Sequence, residues 1–580
     1  MLHRLEISER AQQRIAWVLL LIMTLVYAAY MSYSSVLRYM TFKATAFDLG
    51  NMDQVVWNTI HGRLFQFTNQ GVDWFGPPIR LAVHFEPILL PVSLLYLIYA
   101  DPRTLLIFQT LALAAGALPV FLLTRRYVAR WPLLAALMAL AYLAMPSLIG
   151  VNIFDFHPIS LATPLLLYAV LALDYRRYGW FVVACLMASF CKEDVPLAVA
   201  LLGVLVIWKY RMPRLGGALL IWGVLYCAFA FAMIKHFYPG EQGNNFWYRY
   251  EELGSTPGEA LLNVVLHPWL LFTLFITVDR VYYLFNLMRS QGFLSLLAPE
   301  WLLPALPALA INLLSTYPLY YSGVYHYNAV IIPFIMISSI HGLKRLLAIW
   351  QGWRGEMAEV AADPVLVVAG VGGQVRARRS ERSLVGLRSA YAGIVHGVVT
   401  HPTVTRSAAV LQPRLRWLKE RQVSRWQAFS ERMEPLARAV PARSLQWLLM
   451  VWIVMMIGLN LVILYVPLNW VNWADHLPGA REQHVQHILD MIPPDASVSA
   501  GGNLNPHLTR RQYVTVFPQL TYIGENGIRG NVQYVVVDLG AVFPEDKVST
   551  AKTLNQLVSS GAFRVLAQAE DVILLVRQSP

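Results

Sequence analysis

Apolar runs of about 20 residues recur along most of the chain, and short polar stretches separate them. An α-helix needs a run of this length to cross a lipid bilayer, so the pattern predicts a mostly α, polytopic α-helical membrane protein. The first run, 15–33, exceeds the apolar core of a signal peptide and is interpreted as a retained first helix. Ten further spans, for about 11 in all, are predicted near 104–124, 131–150, 158–175, 178–191, 195–208, 216–235, 268–289, 292–314, 328–346 and 446–468.

Composition and charge support this interpretation. Only 14% of the residues are charged, against about 25% in a typical soluble domain, which excludes an ordinary soluble enzyme. Lys and Arg in the loops after the first one fall on a single side of the predicted layout. The positive-inside rule therefore places the N-terminus in the cytoplasm and the C-terminus outside the cell membrane. The three cysteines lie in apolar stretches and suggest neither a disulfide framework nor a metal site.

Four regions follow from the pattern. A transmembrane domain is predicted over 1–346, with an external first loop at 34–103 in which the apolar run 88–100 is too short to span and is predicted to be interfacial or re-entrant. A basic cytosolic insertion follows at 347–445, and the last transmembrane helix at 446–468. Alternating strand-like and helical segments at 474–580 predict a small C-terminal α/β domain outside the membrane.

The basic insertion explains most of the net charge of +12. Residues 341–445 contain 17 Lys and Arg against 7 Asp and Glu. The periodicity over 411–439 is compatible with an amphipathic helix on an anionic inner leaflet, or with a loosely ordered loop that obeys the charge rule. Nucleic acid is not an expected partner, because no aromatic-rich binding motif accompanies the basic residues.

Polar clusters on the predicted external side carry the candidate chemistry. Ionisable groups near membrane spans are costly, so each one suggests a function. All five clusters fall at a similar depth, and they predict one composite site at the outer interface. They are Asp48 and Asp53 in the first loop, His84 and Glu86 at its end, Asp155 and His157 in the second external turn, Lys192, Glu193 and Asp194 in the third, and His326 in a tyrosine-rich run.

Each cluster also has a purely structural interpretation. Asp48, Asp155 or His157 could cap a helix, and Asp53 could be a solvated surface residue. His84 and Glu86 could form a local hydrogen-bonded pair, and the triplet 192–194 could neutralise itself in a turn. The tyrosines could belong to an interfacial aromatic belt.

The chemistry of the combined set points to group transfer. A carboxylate at the surface can act as general base toward an acceptor hydroxyl. Further carboxylates and histidines can hold a divalent cation or orient the base. A Lys or His can neutralise a phosphate leaving group, and an apolar groove between helices can hold a lipid tail. These parts fit transfer of a sugar from a lipid-phosphate carrier.

The same segments resemble the motifs of a bacterial and archaeal family of polytopic membrane proteins with a domain of unknown function. The resemblance covers most of the chain apart from the basic segment 344–445. That family is similar to the GT-C glycosyltransferases, multi-span enzymes that have an acidic motif in the first external loop and use polyprenyl-phosphate sugar donors. The matching motifs include Phe47-Asp48-Leu49-Gly50, His84-Phe85-Glu86-Pro87, Asp155-Phe156-His157-Pro158, Lys192-Glu193-Asp194 and Tyr325-His326-Tyr327.

This resemblance implies a GT-C-like transmembrane fold and a glycosyltransferase activity. Its partners would be a lipid-linked sugar donor, membrane lipid, and a glycan, lipid or protein acceptor. The first loop departs from the GT-C pattern, since it has no Asp-x-Asp or Asp-Glu pair, which leaves a requirement for Mg²⁺ or Mn²⁺ open. The implied catalytic residues are Asp48, Asp155 and Glu86, and the implied substrate-binding residues are His84, His157, Lys192, Glu193, Asp194, His326 and Asp53.

Two other function classes compete with a transferase. A transporter or flippase of a lipid-linked or anionic substrate would need charges near the membrane midplane and usually inverted repeats. The sequence shows no repeat, and Asp279-Arg280 is its main midplane candidate. A non-catalytic scaffold would use the external α/β domain to bind a cell-wall partner.

Overall fold

The structure, a computed structural model, describes residues 8–69, 79–238, 246–354, 432–435, 437–440, 442–468, 477–524 and 527–578. The chain divides into two compact units. One comprises Met1–Leu343 and Met450–Pro580, and the other comprises Lys344–Leu449. All ten predicted site residues belong to the first unit. Most of the predicted amphipathic helix at 411–439 lies outside the described residues.

Helices dominate the described part of the chain, and several begin at a proline, whose missing N–H is not needed in the first turn. Their bounds are Glu9–Met40, Asn51–Ile60, Leu89–Ser93, Pro102–Ala115, Ala117–Tyr127, Pro132–Leu143, Pro146–Ile153, Ala162–Asp174, Tyr178–Ser189, Val195–Tyr210, Pro213–Phe237, Pro257–Leu266, Trp269–Phe275, Val278–Arg289, Leu306–Leu314, Ile331–Trp353, Ala442–Leu468, Ala480–Asp490 and Pro544–Ser559.

Among the described residues, five helices are long and apolar enough to cross a membrane: Glu9–Met40, Pro102–Tyr127, Pro213–Phe237, Ile331–Trp353 and Ser444–Val462. A bent pair, Pro132–Leu143 with Pro146–Ile153, would make a sixth span. The apolar run 88–100 forms only a short helix and a 3-10 turn, Leu94–Leu97.

Other predicted spans are shorter or interrupted. The segment predicted as a single span at 268–289 is broken after Phe275, because the Thr277 side chain caps a new helix by accepting a hydrogen bond from Arg280 N. The helices Tyr178–Ser189 and Val195–Tyr210 are apolar but have fewer than 18 residues. The count of about 11 spans therefore stays a prediction.

Close helix packing shapes the membrane part. The first helix, Glu9–Met40, contacts Pro102–Ala115 and Pro132–Leu143. The helices Val195–Tyr210 and Pro213–Phe237 approach at backbone distance, since a Cβ added at Gly203 would lie 2.5 Å from the carbonyl oxygen of Gly216. Small residues allow such close approach where lipid provides no hydrophobic drive between helices.

The C-terminal region folds as the predicted α/β domain. Its strands are β1 (Val498–Ala500), β2 (Val514–Val516), β3 (Thr521–Ile523), β4 (Arg529–Asn531), β5 (Tyr534–Asp538), β6 (Phe563–Ala569) and β7 (Val572–Arg577). The main sheet has the order β2-β1-β5-β7-β6, in which β1 runs parallel to β2 and β5, and β7 runs antiparallel to β5 and β6. The fold class, mostly α with a small C-terminal α/β domain, is confirmed.

The two faces of this sheet are buried against different helices. On β5, Val536 packs with Val485 and Ile488 of the helix Ala480–Asp490. Its neighbour Val535 faces the other side and packs with Leu554 of the helix Pro544–Ser559. The alternation of strand side chains therefore fills two layers of core.

Candidate functional site

Asp48 lies in a π-helical turn, Ala46–Gly50, that leads into the helix Asn51–Ile60. His157 Nε2 donates to its Oδ1 at 2.9 Å, and Thr45 Oγ1 donates to its Oδ2 at 2.6 Å. Burial alone would raise the pKa of Asp48, but the hydrogen bonds from His157 and Thr45 outweigh burial and hold the pKa below its ordinary value. The lowered pKa makes Asp48 an ionised carboxylate, and 25% of its side chain is exposed.

Asp155 is the second carboxylate of this cluster, and its side chain is only 2% exposed. It accepts a hydrogen bond from the backbone N–H of Thr45 at 2.9 Å, and Arg38 Nη2 lies 3.8 Å from its Oδ1. Burial raises the pKa of Asp155, although the Arg38 charge opposes this. Its φ of 43° is a left-handed conformation that Asp tolerates better than most residues. Asp155 therefore supports the backbone beside Asp48 without facing solvent.

A series of contacting aromatic rings extends from this cluster, in which the first and last contacts are stacked and the middle one is tilted. The His157 and His326 rings stack with centroids 3.7 Å apart. The Tyr327 ring lies 4.2 Å from that of His326, and it stacks on Tyr320 at 3.9 Å. Burial, followed by the nearby His157, keeps the pKa of His326 well below its ordinary value, so that ring is neutral.

The first loop meets the third predicted external turn in a second cluster. His84 Nδ1 lies 2.8 Å from Glu193 Oε1, and the backbone N–H of Phe85 donates to Glu193 Oε2 at 3.1 Å. Glu86 instead pairs with Arg80, with 2.7 Å between Oε2 and Nε. The local His84–Glu86 pair is thus not formed, because each side chain has another partner: Glu193 for His84 and Arg80 for Glu86.

A cavity of about 590 Å³ opens beside this cluster. His84, Lys192, Glu193 and Asp194 supply charged groups to its lining, and Lys192 Nζ lies 3.9 Å from Asp194 Oδ1. Most of the remaining wall is apolar or aromatic and includes Phe231, Ile234, Phe246, Leu271, Ala310, Leu314 and Tyr320. Tyr320 thereby connects the cavity to the contacting rings that end at His157.

The ionisable side chains of the cavity lining lie in pairs, Glu193 with His84 and Asp194 with Lys192. Burial would raise the pKa of Glu193, but the charge and hydrogen bond of His84 lower it to about 2. Burial raises the pKa of Asp194 despite the neighbouring Lys192. An ionised Glu193 is therefore already engaged by His84, while Lys192 lies beside Asp194 in the cavity lining.

The hydrogen-bond partners of Asp53 belong to neither cluster. Asp53 is fully buried and accepts hydrogen bonds from Thr509 Oγ1 at 2.5 Å and from Tyr96. Burial raises the pKa of Asp53 to about 6. This carboxylate joins the first loop to the C-terminal domain, so it differs from both the predicted substrate contact and the solvated alternative.

Sequence reasoning missed Thr45, Arg38 and Arg80, which hold the carboxylates in place. Arg80 also lowers the pKa of Asp48 through its charge, after the larger effects of burial, His157 and Thr45. A usable signal was present, since basic residues in a predicted external loop contradict the positive-inside rule and so call for a local function.

The donor set does not provide a closed metal site. Among the described residues, no three His, Cys, Asp or Glu side chains are arranged to hold a metal ion. Asp48 and Asp155 both contact the Thr45 hydroxyl, and they already face His157 and Arg38, respectively. The Mg²⁺ or Mn²⁺ considered from the sequence stays a prediction, and the mechanism proposed below has no step through it.

A protein-family profile covers the parts of the chain that contain the site. The profile of a family described as a predicted membrane protein, DUF2079, matches residues 38–372 and 422–574. The chain belongs to the DUF2079 family. The matched ranges contain every residue of both clusters, and they leave out part of the basic segment. No curated protein matches the sequence at a significant level.

Solved structures with some likeness to this DUF2079 protein have TM-scores below 0.5, which does not establish a shared fold. ArnT from Cupriavidus metallidurans in the apo state gives a TM-score of 0.44 at 15% identity, covering 97% of this chain and 98% of that chain. The same protein bound to undecaprenyl phosphate gives 0.42 at 15% identity, covering 96% and 97%. Archaeal oligosaccharyltransferase AglB from Archaeoglobus fulgidus, in complex with an inhibitory peptide and a dolichol-phosphate, gives 0.32 at 12% identity, covering 93% and 72%.

Proposed function

We propose that this DUF2079 protein is a glycosyltransferase that moves a sugar from a polyprenyl-phosphate donor to an acceptor hydroxyl at the outer face of the cell membrane. One observation carries the proposal. The accessible carboxylate Asp48, held by His157 and Thr45, is linked through a series of contacting rings to an apolar cavity whose lining contains Lys192. A pocket with few convergent polar groups is the default location of a binding site.

In the proposed reaction, Asp48 accepts the proton of the acceptor hydroxyl while that oxygen attacks the anomeric carbon of the donor. A carbon–oxygen bond forms to the acceptor, and the bond between the anomeric carbon and the phosphate oxygen breaks. Polyprenyl phosphate leaves with the electron pair. His157 stabilises the ionised Asp48 before the attack, and Lys192 offsets the charge that develops on the leaving phosphate.

The cavity walls suit the proposed donor. Apolar side chains such as Phe231 and Leu314 provide contacts for a prenyl chain, while Lys192 provides a cation for its phosphate. The acceptor approaches Asp48 from its exposed side. Its class, whether glycan, lipid or protein, is left to experiment.

The test uses purified protein in liposomes, with polyprenyl-phosphate hexoses and pentoses labelled in the sugar and membranes of the source cell as acceptor. We expect the label to leave one of these donors and polyprenyl phosphate to be released. Lys192→Gln should lower kcat/KM for the donor by at least about tenfold, because the variant lacks the cation that contacts the donor phosphate and offsets its charge as it leaves. Lys209→Gln is the matched control, since Lys209 pairs with Glu300 and does not line the cavity. Passage of intact donor across the bilayer without cleavage would instead indicate a transporter.

A further inference from the structure

The C-terminal α/β domain contacts the first loop at the turn that carries Asp48. The backbone N–H of Ala46 donates to the carbonyl oxygen of Gly502, just after β1, at 2.9 Å. Thr68 Oγ1 donates to Val514 O at 2.8 Å and accepts from Val514 N at 3.0 Å, which ties the same loop to β2. The domain is therefore bonded to the backbone of the loop near the proposed base.

Two asparagines form the centre of this contact. Asn69 Nδ2 donates to Asn505 Oδ1 at 2.8 Å, and Asn505 Nδ2 donates back to Asn69 Oδ1 at 2.5 Å. The second hydrogen of each amide is also used, by Ala46 O for Asn69 and by Thr515 O for Asn505. Both side chains are fully buried. Every donor of the pair is thus satisfied, and such a network fixes geometry more tightly than apolar packing does.

The same pair touches the other end of the turn. A Cβ added at Gly50 would lie 2.6 Å from Asn505 Oδ1 and 3.0 Å from Asn69 Nδ2, so the amides pack directly on the Gly50 backbone. Ala46 and Gly50 are the first and last residues of the π-helical turn. Asp48, between them, makes its own hydrogen bonds to His157 and Thr45 and none to the asparagines.

We propose that the C-terminal domain contributes to the active site, and that the Asn69–Asn505 pair is a positioning element. The pair fixes the backbone of the turn that carries Asp48. The pair acts through the backbone at Ala46 and Gly50 and does not touch substrate. This inference rests on the proposed function for its kinetic consequence, but the structural consequence can be measured without any substrate.

The test compares Asn505→Leu with Asn503→Ala in the full-length protein. Asn503 belongs to the same loop but donates to Asp538 within the C-terminal domain, which makes it the matched control. Hydrogen exchange of the amides of Ala46 and Gly50 should become at least about tenfold faster in Asn505→Leu and stay unchanged in Asn503→Ala. Unchanged exchange in a folded Asn505→Leu would overturn the proposal, whether or not the protein is a transferase.

Kinetics supply the second readout. Displacement of a reacting group by about 1 Å can cost about 100-fold in rate, so Asn505→Leu should lower kcat by about 10- to 100-fold while the donor KM changes by less than about twofold. The acidic limb of the pH–rate profile should move to higher pH, because Asp48 would lose the bonds that lower its pKa. If Asn505→Leu only reduced the amount of active enzyme, the rate would fall but the pH–rate profile would not move. That result would contradict a positioning role. If Asn505→Leu does not fold, Gly50→Ala must give the same kinetic change, and its absence there would contradict the proposal.

Discussion

At the scale of single residues, environment assigns different tasks to identical side chains. Asp48 and Asp155 both contact Thr45, yet only Asp48 is exposed, and their pKa values shift in opposite directions. The sequence was sufficient to predict that these acids belong to a functional site, because charge beside a membrane span is costly. The partners of Asp155 could not be predicted, since Thr45 lies 110 residues from it in sequence and Arg38 lies further still, and both meet it only through packing of the first helix.

The first prediction concerns His157. Its hydrogen bond and charge lower the pKa of Asp48, so His157→Ala should raise that pKa. A base with a higher pKa stays protonated to a higher pH, so the acidic limb of kcat should move upward. The rate at neutral pH should fall by about 10- to 100-fold. A pH–rate profile measures both effects, and an unmoved acidic limb would show that His157 does not control Asp48.

At the scale of elements, the hydrophobic pattern located helices well but did not reveal the interruptions within them. The predicted spans at 178–191 and 195–208 correspond to Tyr178–Ser189 and Val195–Tyr210. The segment 268–289 is interrupted because a threonine cap near its middle restarts the helix, a local effect that average hydropathy does not register. In the C-terminal domain, alternating strand-like and helical segments predicted the α/β class, but the short two-stranded sheet of β3 and β4 was not predicted, because its strands have three residues each and no buried face.

The glycine contact between Val195–Tyr210 and Pro213–Phe237 yields the second prediction. Gly216→Leu should destabilise the protein by about 1–3 kcal/mol, because a side chain there would meet the Gly203 carbonyl and Ile207. Gly217→Leu should leave the thermal midpoint in detergent nearly unchanged, since no atom of another element lies within 4 Å of an added Cβ. Equal midpoints for the two variants would argue against close packing of this pair.

At the scale of the whole molecule, the C-terminal domain and the first loop form one structure around the proposed base. Asp53, Thr68 and Asn69 all bond across to that domain, and Tyr39 stacks on His507 with centroids 4.1 Å apart. The alternation of strand-like and helical segments distinguishes this domain from the transmembrane part in the sequence. The contact between them could not be predicted, because single polar residues in the two regions carry no pairing signal.

The third prediction concerns orientation in the membrane. The three native cysteines are buried, so introduced cysteines can report topology. Lys552→Cys, in the C-terminal domain, should react with a membrane-impermeant maleimide on intact cells. Arg177→Cys should react only after permeabilisation, because that loop is predicted to be cytoplasmic. The reverse pattern would place the proposed site on the inner face.

The central claim is that Asp48 is the catalytic base, and single-turnover transfer from a saturating polyprenyl-phosphate sugar tests it most directly. The comparison is between Asp48→Asn and Asp53→Asn, two equal changes in the same loop, of which only the first removes the exposed carboxylate. We predict that Asp48→Asn keeps donor binding and loses roughly 1,000-fold in the rate of sugar transfer, within the range expected for a general base. Asp53→Asn should lose no more than about tenfold, because its remaining side-chain oxygen can still accept from Thr509 and largely keeps the contact between the first loop and the C-terminal domain. Transfer by a folded Asp48→Asn variant at the unmodified rate would contradict the account.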